Sequence, residues 1–90
     1  MKKAVITVIG KDRVGIIHNI SGILSDNNIN ILDISQTIMQ ELFTMIMLVD
    51  LAESGKNVDT LRKDLDTLAQ EMHVSINIQH EDVFGSMHRI

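Results

Sequence analysis

Apolar residues between Lys3 and Ile78 fall into six blocks, four of strand character and two with helical spacing. Few architectures accommodate that order in ninety residues. Lys3 to Ile9 is rich in β-branched residues and stops at Gly10, which predicts a buried strand. After the polar stretch Lys11-Asp12-Arg13, apolar residues recur at Val14, Ile16, Ile17, Ile20, Ile23 and Leu24, one stripe on a helix. Asp12 is placed to cap that helix, and Asn27-Asn28 to end it, since Asn tolerates the left-handed conformation.

Ile31 to Met39 predicts a half-exposed strand, with Leu32, Ile34 and Ile38 on one face and Asp33, Ser35 and Thr37 on the other. Leu42 to Leu51 is apolar on both faces. Only Gln40-Glu41 separates the two, room for a tight hairpin without the usual Asn-Gly turn. Asn57 can cap a second helix, whose stripe is Val58, Leu61, Leu65, Leu68 and Met72. Val74, Ile76 and Ile78 alternate with polar residues as a last strand. Glu81 to Ile90 suits a short helical tail.

The order β-α-β-β-α-β predicts an α+β, ferredoxin-like fold: a four-stranded antiparallel sheet with two helices on one face. Residues 1–90 form a single domain, with a core at about 3–81 and a C-terminal tail over 82–90. The second sheet face lacks a helix layer. The doubly apolar third strand leaves two readings: a partner or the tail covers that face, or the strand is simply apolar and central.

Composition removes several functions. With no cysteine there are no disulfides, thiol nucleophiles or cysteine metal sites. The net charge of −4 and the lack of Trp and Tyr argue against nucleic-acid binding. The apolar run from Ala4 to Ile9 is too short for a secretory or membrane segment, so a cytoplasmic location is expected, without membrane association. His18, His73, His80 and His88 have no metal-ligand spacing, and neither a metal nor another cofactor is expected.

The stretch Lys11-Asp12-Arg13-Val14-Gly15-Ile16-Ile17, the helix after it, and Asn28-Ile29-Asn30-Ile31 together resemble the ACT domain family. Val14 stands where that family usually has proline, and Asn28 where it often has glycine. Proline would only preset the first helical turn, and Asn can supply glycine's conformation. The ending Glu81 to Ile90 is similar to the small stand-alone ACT proteins of bacteria and archaea. These in turn resemble the N-terminal part of the glycine-cleavage transcriptional regulator.

The resemblance implies a regulatory domain without catalysis that binds a small ligand, an amino acid, at the interface of a homodimer and signals to another protein. The site residues it implies are Asp12, Arg13, Val14, Gly15, Ile16, Asn30 and Ile31. Gly15 lets backbone approach a ligand, and the helix N-terminus there attracts a carboxylate. Asp12 would take an ammonium group, and the Asn30 amide both donates and accepts. Each has a plainer reading too: Asp12 as a helix cap, Gly15 as a packing residue, Asn30 as a turn amide.

Two alternatives accompany this expectation. A protein-interaction module that needs no ligand would use the second sheet face and the tail. An acylphosphatase-like enzyme shares the element order. However, Asp12 would sit unfavourably in a phosphate cradle, and that family's Gln-Gly-Val-x-Phe-Arg run is missing.

Overall fold

The computed structural model describes residues 2–11 and 14–87, with side chains as far as residue 85. Its elements are β1 (Lys3–Gly10), α1 (Val14–Asp26), β2 (Asn30–Met39), β3 (Leu42–Asp50), α2 (Val58–Met72), β4 (Ser75–His80) and α3 (Glu81–Met87). The strands form one antiparallel sheet in the order β2-β3-β1-β4. This is the βαββαβ ferredoxin-like arrangement with a short C-terminal helix.

Alternation along the strands sorts the sheet into two faces. Ala4, Ile6 and Val8 of β1, Phe43, Met45, Met47 and Val49 of β3, and Ile76 and Ile78 of β4 are buried on one face. They form a single core with Ile16, Ile20 and Leu24 of α1 and Val58, Leu61, Leu65 and Leu68 of α2. Both helices therefore cover the same face. No buried polar side chain interrupts this core among the described residues.

Asn28 and Asn57 act at the turns where the sequence placed them, and His73 caps α2 without a cue in the sequence pattern. Asn28 takes a left-handed φ of 54° at the end of α1. Asn57 caps α2 by accepting from the Thr60 N–H at 2.8 Å. His73 ends α2 in the left-handed conformation, and the Val74 N–H reaches back to the Ala69 carbonyl at 3.0 Å. The β2–β3 hairpin turns on Gln40, held at a φ of 56° that glycine or asparagine adopts more cheaply.

The second strand is more exposed than its alternation suggested. A bulge between Ile31 and Asp33 shifts its register against β3. Ile34 and Ile38 then lie on the helix side of the sheet, level with Met47 and Phe43, yet are 42% and 56% exposed. Ile31 alone of this strand packs against the core. The helices cover β1, β3 and β4 and stop short of β2, whose outer edge has no strand beside it among the described residues.

The open face is covered only in part. α3 contacts β1 and β4, and Val5, whose side chain lies on the open face, is buried. Ile9, Leu42 and Ile46 on the same face remain exposed.

Candidate functional site

One end of the sheet collects the end of β1 and the start of α1. A Cβ on Gly10 would fall 2.6 Å from Val74 Cγ1 and 3.1 Å from Ile16 Cδ1. A Cβ on Gly15 would fall 2.9 Å from the Met72 terminal methyl. The glycines on either side of the 11–14 segment thus both rest on the α2–β4 corner. Asn19 ties the arrangement together: its Nδ2 donates to the Gly15 carbonyl at 2.8 Å and lies 3.5 Å from Met72 Sδ. This is where absent side chains let two backbone segments approach a neighbouring element.

Val14 opens α1 and is largely exposed, and Gly15 is half-buried. The Ile16 side chain is buried in the core, so only its backbone faces the helix N-terminus. Asp12 and Arg13 lie outside the described residues, and with them both the capping and the ligand readings of Asp12.

Asn30 lies at the opposite end. It shares a row with Asp50 and Lys3 across β2, β3 and β1, while Gly10 shares one with Phe43 and Ile38. The two rows are seven strand steps apart, about 23 Å at ~3.3 Å per residue. Asn30 is exposed, whereas the half-buried Ile31 side chain packs against the core. Within one copy, Val14–Ile16 and Asn30 do not form a common site.

Each end has its own shallow depression beside β2. One, of about 550 Å³, is lined by Ser25, Asn28, Ile29, Asn30 and Glu53. The other, of about 530 Å³, is lined by Lys11, Met39, Gln40, Glu41 and Leu42. Ser25, Glu53 and the hairpin residues are not among the site residues expected from the sequence: Ser25 lies in the last turn of α1 just before Asn30, while the return of β3 brings Glu53 to that end. A further cavity of about 340 Å³ sits where Lys3, His80 and Asp82 approach the start of α2. It contains none of the expected site residues. No cluster of three metal-ligating side chains occurs among the described residues.

The pattern that defines the ACT domain matches residues 2–79. The chain belongs to the ACT domain family. A UPF0237 protein of Clostridium perfringens is 56% identical over 97% of this chain and 98% of its own length. An ACT domain protein of Streptococcus pneumoniae has a solved structure that superposes with a TM-score of 0.79 at 40% identity. That match covers 92% of this chain and 93% of the other. A putative glycine cleavage system transcriptional repressor superposes at 0.73 with 26% identity. There 88% of this ACT domain is covered but only 45% of the repressor chain, so the likeness spans part of that protein. No described helix of the ACT domain is long and apolar enough to cross a membrane.

Proposed function

We propose that this ACT domain is a non-catalytic sensor that binds an amino acid between two copies of itself and passes its occupancy to another protein. The observation that carries the reading is the separation of the two half-sites along β2. One half-site, Val14–Ile16, opens α1 at the Gly10 end of the sheet; the other, Asn30, stands at the opposite end. β2 is an edge strand of ten residues with no strand on its outer side among the described residues. Antiparallel pairing of two such edges about a two-fold axis lays Asn30 of one copy at the end of the sheet where its partner's Val14–Ile16 segment begins. It also shields backbone groups that otherwise invite uncontrolled strand addition. Ile34 and Ile38 would then bury their exposed surface against their counterparts.

Such a site has the chemistry an amino acid needs. The N–H groups that open α1 favour a carboxylate. Asp12 supplies a carboxylate for the ammonium group, and Asn30 contributes an amide from the partner. Arg13 at the same loop would contact the carboxylate, while Ile16 and Ile31 offer backbone only.

The test is a thermal-shift screen against the twenty amino acids, with Asp12→Ala and Asn30→Ala beside the parent chain. A true ligand at a hundredfold excess over its Kd stabilises by ~2.7 kcal/mol. Both variants should lose the shift. Because the site is shared between copies, mixing the two variants should restore one intact site per heterodimer and part of the shift. If the parent responds to no amino acid, the sensor reading fails and the ligand-independent interaction module takes its place.

A further inference from the structure

We propose that the groove between α1 and α2 receives a basic amphipathic helix of another protein. This names the surface through which the sensor proposed above signals, and it rests on that reading for the existence of a downstream protein. The groove, of about 380 Å³, is lined by Asn19 and Ile23 of α1 and by Asp64, Thr67, Leu68 and Glu71 of α2. Helical spacing puts Gly22 and Asp26 on the same stripe of α1 as Asn19 and Ile23. A Cβ on Gly22 would meet no atom within 4 Å, so the α1 wall is open there. Ile23 is half-buried and Leu68 buried, which gives the groove an apolar floor, while Asn19, Thr67 and Glu71 are exposed.

Both helices end on the wrong charge for their dipoles. The carbonyl groups at a helix C-terminus carry partial negative charge and favour Lys, Arg or His nearby. Instead α1 ends on Asp26, α2 has Glu71 in its last turn, and neither helix has a basic residue there. Neither carboxylate has an ion-pair partner among the described residues. The cations of this layer are placed elsewhere. Lys56 is paired with Asp64, and Arg62 bonds Asp59 and the Ile78 carbonyl. Helical spacing turns Lys63 to the outer side of Thr67. Negative potential at two helix ends thus lies beside an apolar floor.

That combination selects the occupant. An aliphatic side chain fills the space beside Gly22 and Ile23, and flanking Lys or Arg residues meet Asp26 and Glu71. The walls are helices and offer no strand edge, so the docked segment must satisfy its own backbone, as a helix does. A second copy of this chain brings a net charge of −4 and is repelled, as nucleic acid or an anionic membrane would be. The groove also adjoins the proposed ligand half-site. Asn19 forms part of its wall and donates to the Gly15 carbonyl at 2.8 Å, so a ligand that shifts the start of α1 shifts this wall.

The probe is a synthetic helical peptide of alanine, leucine and lysine, with a counterpart in which glutamate replaces lysine. Calorimetry measures binding to the whole chain, and heteronuclear NMR locates it. The lysine peptide should shift the amide signals of Asn19, Ile23, Thr67 and Glu71, and the glutamate peptide should shift none. Gly22→Leu fills the groove and should abolish binding while Tm holds or rises, because leucine suits a helix better than glycine. Asp26→Lys/Glu71→Lys should abolish binding and raise Tm, because each replaced carboxylate opposes a helix dipole. If Gly22→Leu fails to fold, the charge variant carries the test. No binding of the lysine peptide, signals that shift on another surface, or binding that both variants retain overturns the docking groove. The titration uses no amino acid, so the two readings fail separately. Peptide binding by a chain whose Tm no amino acid shifts keeps the groove and drops the sensor, and the reverse result keeps the sensor and drops the groove.

Discussion

A Cβ placed on Gly10 would stand 2.6 Å from Cγ1 of Val74, closer than two carbon atoms can pack. β1 therefore ends on a glycine because the first residue after the α2 cap occupies the space. Gly10→Ala should cost about 1–3 kcal/mol, the scale of overpacking a close contact. For a domain this size each kcal/mol lowers Tm by roughly 4–8 °C. Adding Val74→Ala should recover much of the loss, and a double-mutant cycle measured by urea unfolding would show the coupling. Additive effects would mean the two residues do not meet.

Gly15→Ala should behave differently. Its Cβ would press on the terminal methyl of Met72, at 2.9 Å, with Asn19 Nδ2 at an ordinary 3.8 Å, and a methionine end can swing aside. Alanine also suits a helix better than glycine by about 1 kcal/mol. Stability in chemical denaturation should stay within about 1 kcal/mol of the parent. If a ligand lies against the Gly15 backbone, the same variant should lose ligand-induced stabilisation. That combination separates a binding role from a packing role.

Asn57→Ala should lower stability by about 1 kcal/mol. The Asn57 side chain accepts from the Thr60 N–H at 2.8 Å and from its hydroxyl at 2.9 Å, so both bonds go at once. Asn57→Asp should retain most of the stability, because a carboxylate accepts the same bonds. Thermal denaturation of the two variants is the check.

Gln40→Gly should stabilise the chain by roughly 0.5–1 kcal/mol, since a left-handed residue with a Cβ carries a conformational cost that glycine avoids. Glycine's larger unfolded-state entropy sets the upper limit of the gain. Chemical denaturation of the variant against the parent measures it.

The helix stripes were legible because burial at three- and four-residue spacing allows one solution. Leu61, Leu65 and Leu68 can face a core together only on a helix. The caps were legible where local chemistry suffices, as with Asn57 and Asn28. β2 was legible as a strand but not in its environment. Its alternation of Ile34 and Ile38 with polar residues does not reveal that the helix layer ends before it, since helix placement depends on crossings far away in the chain. The reason for Gly10 was equally hidden, because Val74 is sixty-four residues away.

What the sequence by itself determined is the element order, the main core stripes and the family, all carried by neighbours within a few positions along the chain. Only the tertiary structure decided that Val14–Ile16 and Asn30 stand at opposite ends of the sheet. It also decided that β2 is an edge left unfilled, and that Ile9, Leu42 and Ile46 on the open face stay exposed. The physical reason is common to all three. Strand register and the reach of a helix layer arise from packing between distant segments, and no local pattern encodes a distance across a sheet.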